Sequence, residues 1–420
     1  MTLRNRELAN LIVVGLLTAI GFASVYIARQ AVVSTGSLAY AGFFFALYLA
    51  AHLVCRLTVP NADPYLLPMA ALLTAVGVTE IYRLDPTDAF RQGLWIVVAV
   101  GALAGTLFLL QRDYRRLESY KYLCGLGAIA LLMLPALPVI GQEINGARLW
   151  VHFGSLQFQP GELAKVLLIV FLAGYLREKR EVLAQGRLKD FGPLLVIWGG
   201  AMLVLVETND LGSALLYFGI FLAMLYVATG RLLYIVIGGL LFVGGAAAAY
   251  KLIGHVRTRV EIWIDPWPHI HTTGYQITQS LYSIANGGFA GPGLGKGTFT
   301  TTSGATLIPS ANTDFIYSAI AQELGLIGAA ALLLVFMLFV ARGMKVAMLA
   351  DDGFSKLLAA GLTFSFALQT FIIVGGILRM IPLTGVTLPF VSYGGSSVVA
   401  NFILLAGLLL ISNRSNSVGR

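Results

Sequence analysis

Residues 274–297 read GYQITQSLYSIANGGFAGPGLGKG and residues 308–315 read IPSANTDF, with Asp314 at the lip of the apolar run that follows. What flanks this polar, glycine-rich stretch decides the fold. Twelve apolar runs fill most of the chain: 8–28, 37–55, 65–82, 93–110, 122–140, 161–176, 191–206, 211–230, 232–250, 315–341, 358–378 and 398–412. Such lengths suit helices crossing a hydrocarbon core of about 30 Å. The 420 residues are 58% hydrophobic and only 11% charged, with a mean hydropathy of +0.82. The expected fold class is therefore an all-α polytopic membrane protein with about 12 transmembrane helices. Arg4 and Arg6 precede the first run as in a signal peptide. That run is long for a signal core and eleven more follow, so it is read as a span that stays.

Basic residues orient the chain. With the N-terminus in the cytoplasm, 18 of the 28 Lys and Arg fall on cytoplasmic segments, among them Arg112, Arg115, Arg116, Arg187, Lys189 and Arg420. The net charge of +8 is then mostly a topology signal. Short, scattered basic loops give no surface for nucleic acid. The polar segments 141–160, 251–314 and 379–397 and the turn Glu207–Asp210 all fall outside, so chemistry is expected on the extracytoplasmic face, where ATP is an unsuitable substrate. Cys55 and Cys124 are too few for a disulfide framework and are read as reduced and packed; His269 and His271 are read as surface residues rather than metal ligands. Residues 1–60 form an accessory helix pair, and 61–420 form the core.

Five constellations carry candidate chemistry. Gln159-Pro160-Gly161-Glu162-Leu163-Ala164-Lys165 starts a helix at Pro160, whose missing N–H would lack a partner anyway. Glu162 then complements the helix dipole and Lys165 falls on its face, either as a buried ion pair or as the lining of a cavity for an anionic substrate. Just before it, Arg148 and Trp150 suit a headgroup phosphate or an interfacial anchor. Asp210, in ETNDLG, reads as a helix N-cap that also has access to that cavity. The run Gly287–Gly297 has the glycines of a phosphate cradle, with Lys296 as a point charge, or else is a re-entrant loop; Ala290 and Gly297 break the nucleotide-binding pattern. Asp314, as N-cap or first residue of its helix, would be ionised and able to act as a general base, although a cap alone also accounts for it. Glu323 is expected to pair within the bundle. Residues 379–397, RMIPLTGVTLPFVSYGGSS, are irregular, and irregular backbone at membrane depth lines a cavity or is buried in protein. Gln276, Gln279, Ser280, Arg379 and Ser392 are the further candidate substrate contacts of these segments.

NGARLWV with QPGELAK, ETNDLGSA, GYQITQSL with the glycine run, NTDFIYSAIAQELG and PLTGVTLPFVSYGGSS together resemble the SEDS family (shape, elongation, division and sporulation), in the family's order across residues 65–412. The resemblance implies a ten-helix core, with the first two spans an addition. It implies a peptidoglycan glycosyltransferase that polymerises lipid II, in a bacterial cytoplasmic membrane, beside a class B penicillin-binding protein that supplies the transpeptidase. Asp314 matches the family's essential acid, Glu162 and Lys165 its charged pair, and Asp210 a further cavity acid. Ser310 and Asn312 stand where many members have Glu and His, Gly161 replaces a common Ser, and Pro292 interrupts the glycine run. The mechanism expected is inverting. Asp314 accepts the proton of the acceptor GlcNAc 4-hydroxyl, that oxygen attacks C1 of the donor MurNAc, and undecaprenyl diphosphate leaves towards Arg148, Lys165, Lys296 and Arg379. Whether a divalent cation, Mg2+ or Mn2+, assists is left open. The rival reading is a flippase or transporter of a lipid-linked precursor. The clustering of polar groups at one set of helix ends argues against it.

Overall fold

The computed structural model describes residues 2–30, 35–138, 140–144, 147–153, 156–185, 192–298 and 307–418. Asn145, Gly146, Arg187, Lys189 and Arg420, used above, lie outside them. Each of the twelve apolar runs falls on a helix. In order these are α1 (Leu3–Gln30), α2 (Thr35–Thr58), α3 (Leu66–Leu84), α4 (Pro86–Leu110), then a short α5 (Arg116–Ser119), α6 (Lys121–Met133), α7 (Pro160–Glu178), a short α8 (Arg180–Ala184), α9 (Gly192–Glu207), α10 (Leu211–Thr229) and α11 (Leu232–Leu252). The outer loop contributes α12 (Gly254–Ile264) and α13 (Tyr275–Gly287), before α14 (Ile316–Leu349), α15 (Gly353–Ile377) and α16 (Gly395–Val418). Among the described residues nine helices are long and apolar enough to cross a membrane by length and composition; α6 and α9 are shorter apolar helices. Charged Glu162, Lys165, Arg177 and Glu178 sit within α7.

Helix boundaries follow local chemistry. Asp85 caps α4, accepting from Thr87 N at 2.7 Å, and Pro86 takes the first helical position. Asp352 caps α15 through Ser355 N at 2.9 Å. Gly230, at φ 69°, closes α10 in the left-handed conformation.

α3, α15 and α16 form the enclosed centre, while α11 is almost wholly exposed along its apolar length, as a lipid-facing helix would be. α4 packs on α16, α6 on α7, α14 on α15, and α1 on both α2 and α3. Phe339, Phe366, Phe390 and Phe402 make a buried aromatic knot, the closest centroids being 4.3 Å apart. Through Phe390 this knot fixes the irregular segment 382–394 against α14, α15 and α16.

Two expectations are corrected. The fold is not all-α: β1 (Gly141–Ile144), β2 (Ala147–Phe153) and β3 (Leu156–Phe158) form an antiparallel sheet in the order β1-β2-β3. Alternation in ARLWVHF drives it, with Val151 fully buried. The fifth run stops as α-helix at Met133 rather than running to residue 140, because Pro135 turns the chain into a short 3-10 segment ending at Ala136. The loop 251–314, for which the sequence reading assigned no elements, carries α12 and α13.

Candidate active site

Construction starts at the first turn of α7. Lys165 Nζ donates to Glu162 Oε2 at 2.8 Å and to Gln369 Oε1 of α15 at 2.6 Å. Gln369 Nε2 in turn donates to Thr387 O at 3.0 Å, and Thr387 Oγ1 to Ser397 Oγ at 2.8 Å. The Tyr217 hydroxyl donates to Gly161 O at 2.6 Å, tying α10 to the same turn. Glu162 and Lys165 are both buried, so this is an enclosed polar chain running through three helices and the irregular segment.

Asp210 is the N-cap of α10, accepting from Ser213 N at 2.9 Å. Burial raises its carboxyl above the usual range; the Ser213 bond and Arg259 oppose this, and nearby Glu162 reinforces it. The cap and a place near the charged pair are thus one position. At the second residue of α10, a Cβ on Gly212 would stand 2.8 Å from Thr384 O, so α10 and the Thr384–Gly385 turn are in close backbone approach.

That turn is the hub. Arg259 of α12 donates from Nη1 to Thr384 O at 3.0 Å. Asp314 Oδ2 lies 3.7 Å from where a Cβ on Gly385 would be. Gly385 holds φ 78°, a conformation a side chain would strain. Asp314 is half-buried and precedes α14. The N-cap of α14 is Phe315, which makes no side-chain cap, so Asp314 is neither the cap nor the first helical residue. Nor is its charge favoured as the sequence suggested. Burial pushes its carboxyl from 3.8 up to about 6, and Arg259 pulls the other way. Arg259 feels the opposing influences: burial lowers it, and Asp314 and Asp210 raise it.

The turn presenting Asp314 is clamped from two sides. Ser392 Oγ donates to Thr313 O at 2.6 Å and accepts from Leu388 N at 2.9 Å; Tyr393 N donates to Asn312 O at 2.8 Å. Asn312 Nδ2 donates to Asp88 Oδ2 at the start of α4 at 2.7 Å. Ser392 therefore positions the Asp314 turn. Arg379 is likewise engaged: its guanidinium donates to Trp263 O and Ile264 O, each at 2.9 Å, covering the last carbonyls of α12, the helix that carries Arg259.

The glycine run cradles an anion, and the anion is internal. Gly295 N and Gly297 N donate to the Glu323 carboxylate at 2.7 and 3.0 Å, and Arg83 Nε of α3 meets it at 2.6 Å. α14 kinks beside it at Gly325, φ 64°. Lys296 is exposed at the edge of this run. Ser280 shares a 2.5 Å hydrogen bond with Ser318, Gln276 Nε2 donates to Pro309 O at 3.3 Å, and Gln279 is half-buried. Arg148 is exposed, 3.1 Å from Glu143, on the sheet whose Arg148 N donates to Thr208 O. Cys55 and Cys124 are free thiols. Among the described residues no group of three or more His, Cys, Asp and Glu is placed to hold a metal.

The hub thus joins Asp314, Arg259 and Asp210, with the Glu162–Lys165–Gln369 chain beside Asp210. Arg259 and Gln369 were not singled out by sequence. One of two arginines, Arg257 and Arg259, at the start of a long loop and a glutamine within an apolar run carry no local signal.

Fold and site together define a multi-pass helical membrane protein with an acid–cation centre at one set of helix ends. The chain belongs to the FtsW, RodA and SpoVE family of cell cycle proteins, whose family model matches residues 62–417. It is 41% identical over 433 residues to the peptidoglycan glycosyltransferase RodA of Mycobacterium tuberculosis, covering 98% of this chain and 91% of that protein. It is 33% identical over 360 residues to the probable peptidoglycan glycosyltransferase FtsW of Geobacter metallireducens, covering 84% of this chain and 95% of that protein. Among solved structures it resembles a chain of a peptidoglycan synthase complex that coordinates polymerization and crosslinking, at TM-score 0.67 and 30% identity, covering 84% of this chain and 98% of that one. It also resembles the rod shape determining protein RodA of Thermus thermophilus, at TM-score 0.60 and 28% identity, covering 84% and 97% respectively.

Proposed function

We propose that this chain is a peptidoglycan glycosyltransferase that polymerises lipid II into glycan strands at the outer face of the cytoplasmic membrane. The relatives support the activity, and their RodA members favour the elongation role. One observation carries the chemistry: Asp314 is held half-buried at the hub with its carboxyl raised to about 6, beside the Arg259 charge. A carboxylate with that pKa is ionised at neutral pH and is a stronger base than an ordinary aspartate.

Asp314 takes the proton from the 4-hydroxyl of the acceptor GlcNAc as that oxygen attacks C1 of the donor MurNAc. The bond from C1 to the diphosphate oxygen breaks with inversion. Negative charge grows on the leaving undecaprenyl diphosphate, and preorganised cations stabilise it. Lys165 is the enclosed candidate, Arg259 stands beside Asp314 on an exposed stretch of α12, and exposed Arg148 and Lys296 are entry contacts. Arg379, Ser392 and Asp210 position the machinery in this reading, Gln276 and Gln279 line the approach along α13, and buried Ser280 ties α13 to α14 through Ser318. The topology proposed has twelve spans, N-terminus in the cytoplasm, supported by the asymmetry of the basic residues. A class B penicillin-binding protein is the proposed partner, supported by the likeness to a synthase complex.

The test is lipid II polymerisation by the purified chain with that partner, comparing wild type with Asp314→Asn. Glycan chains from wild type, reduced at least about a hundredfold in the variant, are expected. Equal product from both would remove the base assignment. Lipid II translocation without polymer would replace the enzyme with the transporter.

A further inference from the structure

The first three turns of α4 carry Asp88, Arg91, Gln92 and Trp95, spaced i, i+3, i+4 and i+7 and so set on one helical face. Each meets one of two segments that lie far apart in the chain. Asp88 Oδ2 accepts from Asn312 Nδ2 at 2.7 Å, while its Oδ1 faces Arg91 Nη1 at 3.4 Å. Arg91 also shares a hydrogen bond with the Tyr393 side chain. Gln92 is fully buried; its Nε2 donates to Ser392 O at 3.4 Å and its Oε1 accepts from Gly394 N at 3.2 Å, one bond on either side of Tyr393. Trp95 closes the row. A Cβ on Gly395 would stand 2.1 Å from its ring, so the indole lies directly on the backbone that begins α16.

These two segments are the ones that present Asp314. Asn312 and Thr313 belong to the turn 310–314, in which Thr313 N and Asp314 N both donate to Ser310 O at 3.1 Å. Ser310 holds φ 61°, and a non-glycine residue in that conformation persists only where its surroundings over-determine it. The surroundings here are Ser392 on Thr313 O, Tyr393 N on Asn312 O and Asp88 on the Asn312 amide. Residues 392–394 are in turn held by Gln92. Asp88 thus acts on the turn directly and Gln92 acts through the partner segment. Both segments are referred to one rigid helix, capped at Asp85 and packed on α16.

We propose that this face of α4 is the platform that positions the general base, with Asp88 and Gln92 as its positioning residues. This rests on the polymerase reading. Gln92 is enclosed and Asp88 is engaged with Asn312 and Arg91, so both act through the turn rather than on substrate. What they fix is the depth at which Asp314 sits against the Gly385 turn. That enclosure raises the Asp314 carboxyl, and the charge that faces it, Arg259, comes from α12 and not from α4. A freed turn therefore admits water to Asp314 and brings its pKa down towards that of an ordinary aspartate.

The experiment uses the full chain with its partner in nanodiscs and follows lipid II polymerisation against pH. Asp88→Ala and Asn312→Ala should each lower kcat roughly tenfold with KM little changed, because a displaced base loses its reach. The double variant should lose no more than either single, since both remove the same bond; losses that multiply to about a hundredfold overturn the pairing. In each variant the acid limb of kcat should move to lower pH. A fall in kcat that leaves the limb in place is general loosening, and it overturns the proposal. Asp88→Asn keeps an oxygen for Asn312 Nδ2, so it should recover most of kcat and return the limb. Gln92→Met keeps the side-chain length and removes both bonds, and it carries the same expectation by itself should Asp88→Ala not fold. A rise in KM at constant kcat would put these residues on substrate, which also overturns the proposal. Should the wild type make no polymer, the polymerase reading fails instead, and hydrogen exchange decides the platform separately. Amides of residues 310–315 should exchange at least about tenfold faster in Asp88→Ala and Gln92→Met than in wild type. Equal exchange overturns the platform whatever the activity.

Discussion

At Asp314 two opposed effects meet. Enclosure against the Gly385 turn raises the carboxyl to about 6, while the Arg259 charge favours the ionised form. A base must be unprotonated, so glycosyl transfer should be full above about pH 7 and fall tenfold per pH unit well below 6. Removing Arg259 removes the one influence that lowers this pKa, so Arg259→Gln should move the acid limb to higher pH. It should also lower the plateau, since a cation facing the leaving diphosphate is lost. The measurement is initial rate against pH at saturating lipid II. A plateau loss without movement of the limb would mean that Arg259 acts on the substrate alone. The sequence showed Asp314 as an acid at a helix lip but gave its electrostatics the wrong sign. The helix begins one residue later, with Phe315 as its cap, and the dominant influence is burial by segments far away in the chain.

Helices and loops hold these side chains in place through contacts that local patterns do not encode. The apolar runs were legible because burial in lipid demands continuous hydrophobicity, and each became a helix. The sheet was not, because its longest strand is only seven residues, in a polar connection between two helices. The glycine run shows the limit most clearly. Its backbone N–H groups do cradle an anion, as its composition suggested, yet the occupant is Glu323, which no spacing rule connects to Gly295 and Gly297. Arg379 is similar, since a cation near the outer face reads as a phosphate ligand until its donors are seen on Trp263 O and Ile264 O. Its replacement tests that distinction. Arg379→Ala exposes the last carbonyls of α12 and loosens the helix carrying Arg259, so kcat should fall roughly tenfold, with KM little changed. Arg379→Lys should restore part of the activity by donating to one carbonyl. A rise in KM at constant kcat would instead return Arg379 to direct contact with substrate.

Across the whole molecule, the helix pair α1–α2 precedes the family-matched residues 62–417, and an ionic triad ties α1 to α2. Glu7 is fully buried; its Oε2 meets Arg4 Nη1 at 2.5 Å and its Oε1 meets His52 Nδ1 at 2.7 Å. Arg4 also donates to Ala62 O, where the core begins. Lipid cannot solvate these groups, so the acid is what makes the two basic side chains tolerable there. Glu7→Leu removes the acid and leaves Arg4 and His52 uncompensated, with an expected loss of about 3–5 kcal/mol. Replacing all three by Arg4→Met, Glu7→Leu and His52→Leu removes the charges together and should recover most of that loss. Thermal unfolding in detergent distinguishes the cases. If the single and triple variants melt alike and well below wild type, the triad supplies net attraction between α1 and α2. If only the single variant is weakened, the pairing of α1 with α2 rests on apolar contacts such as the stacked Phe22 and Phe44, and the triad serves to set the register between these two helices.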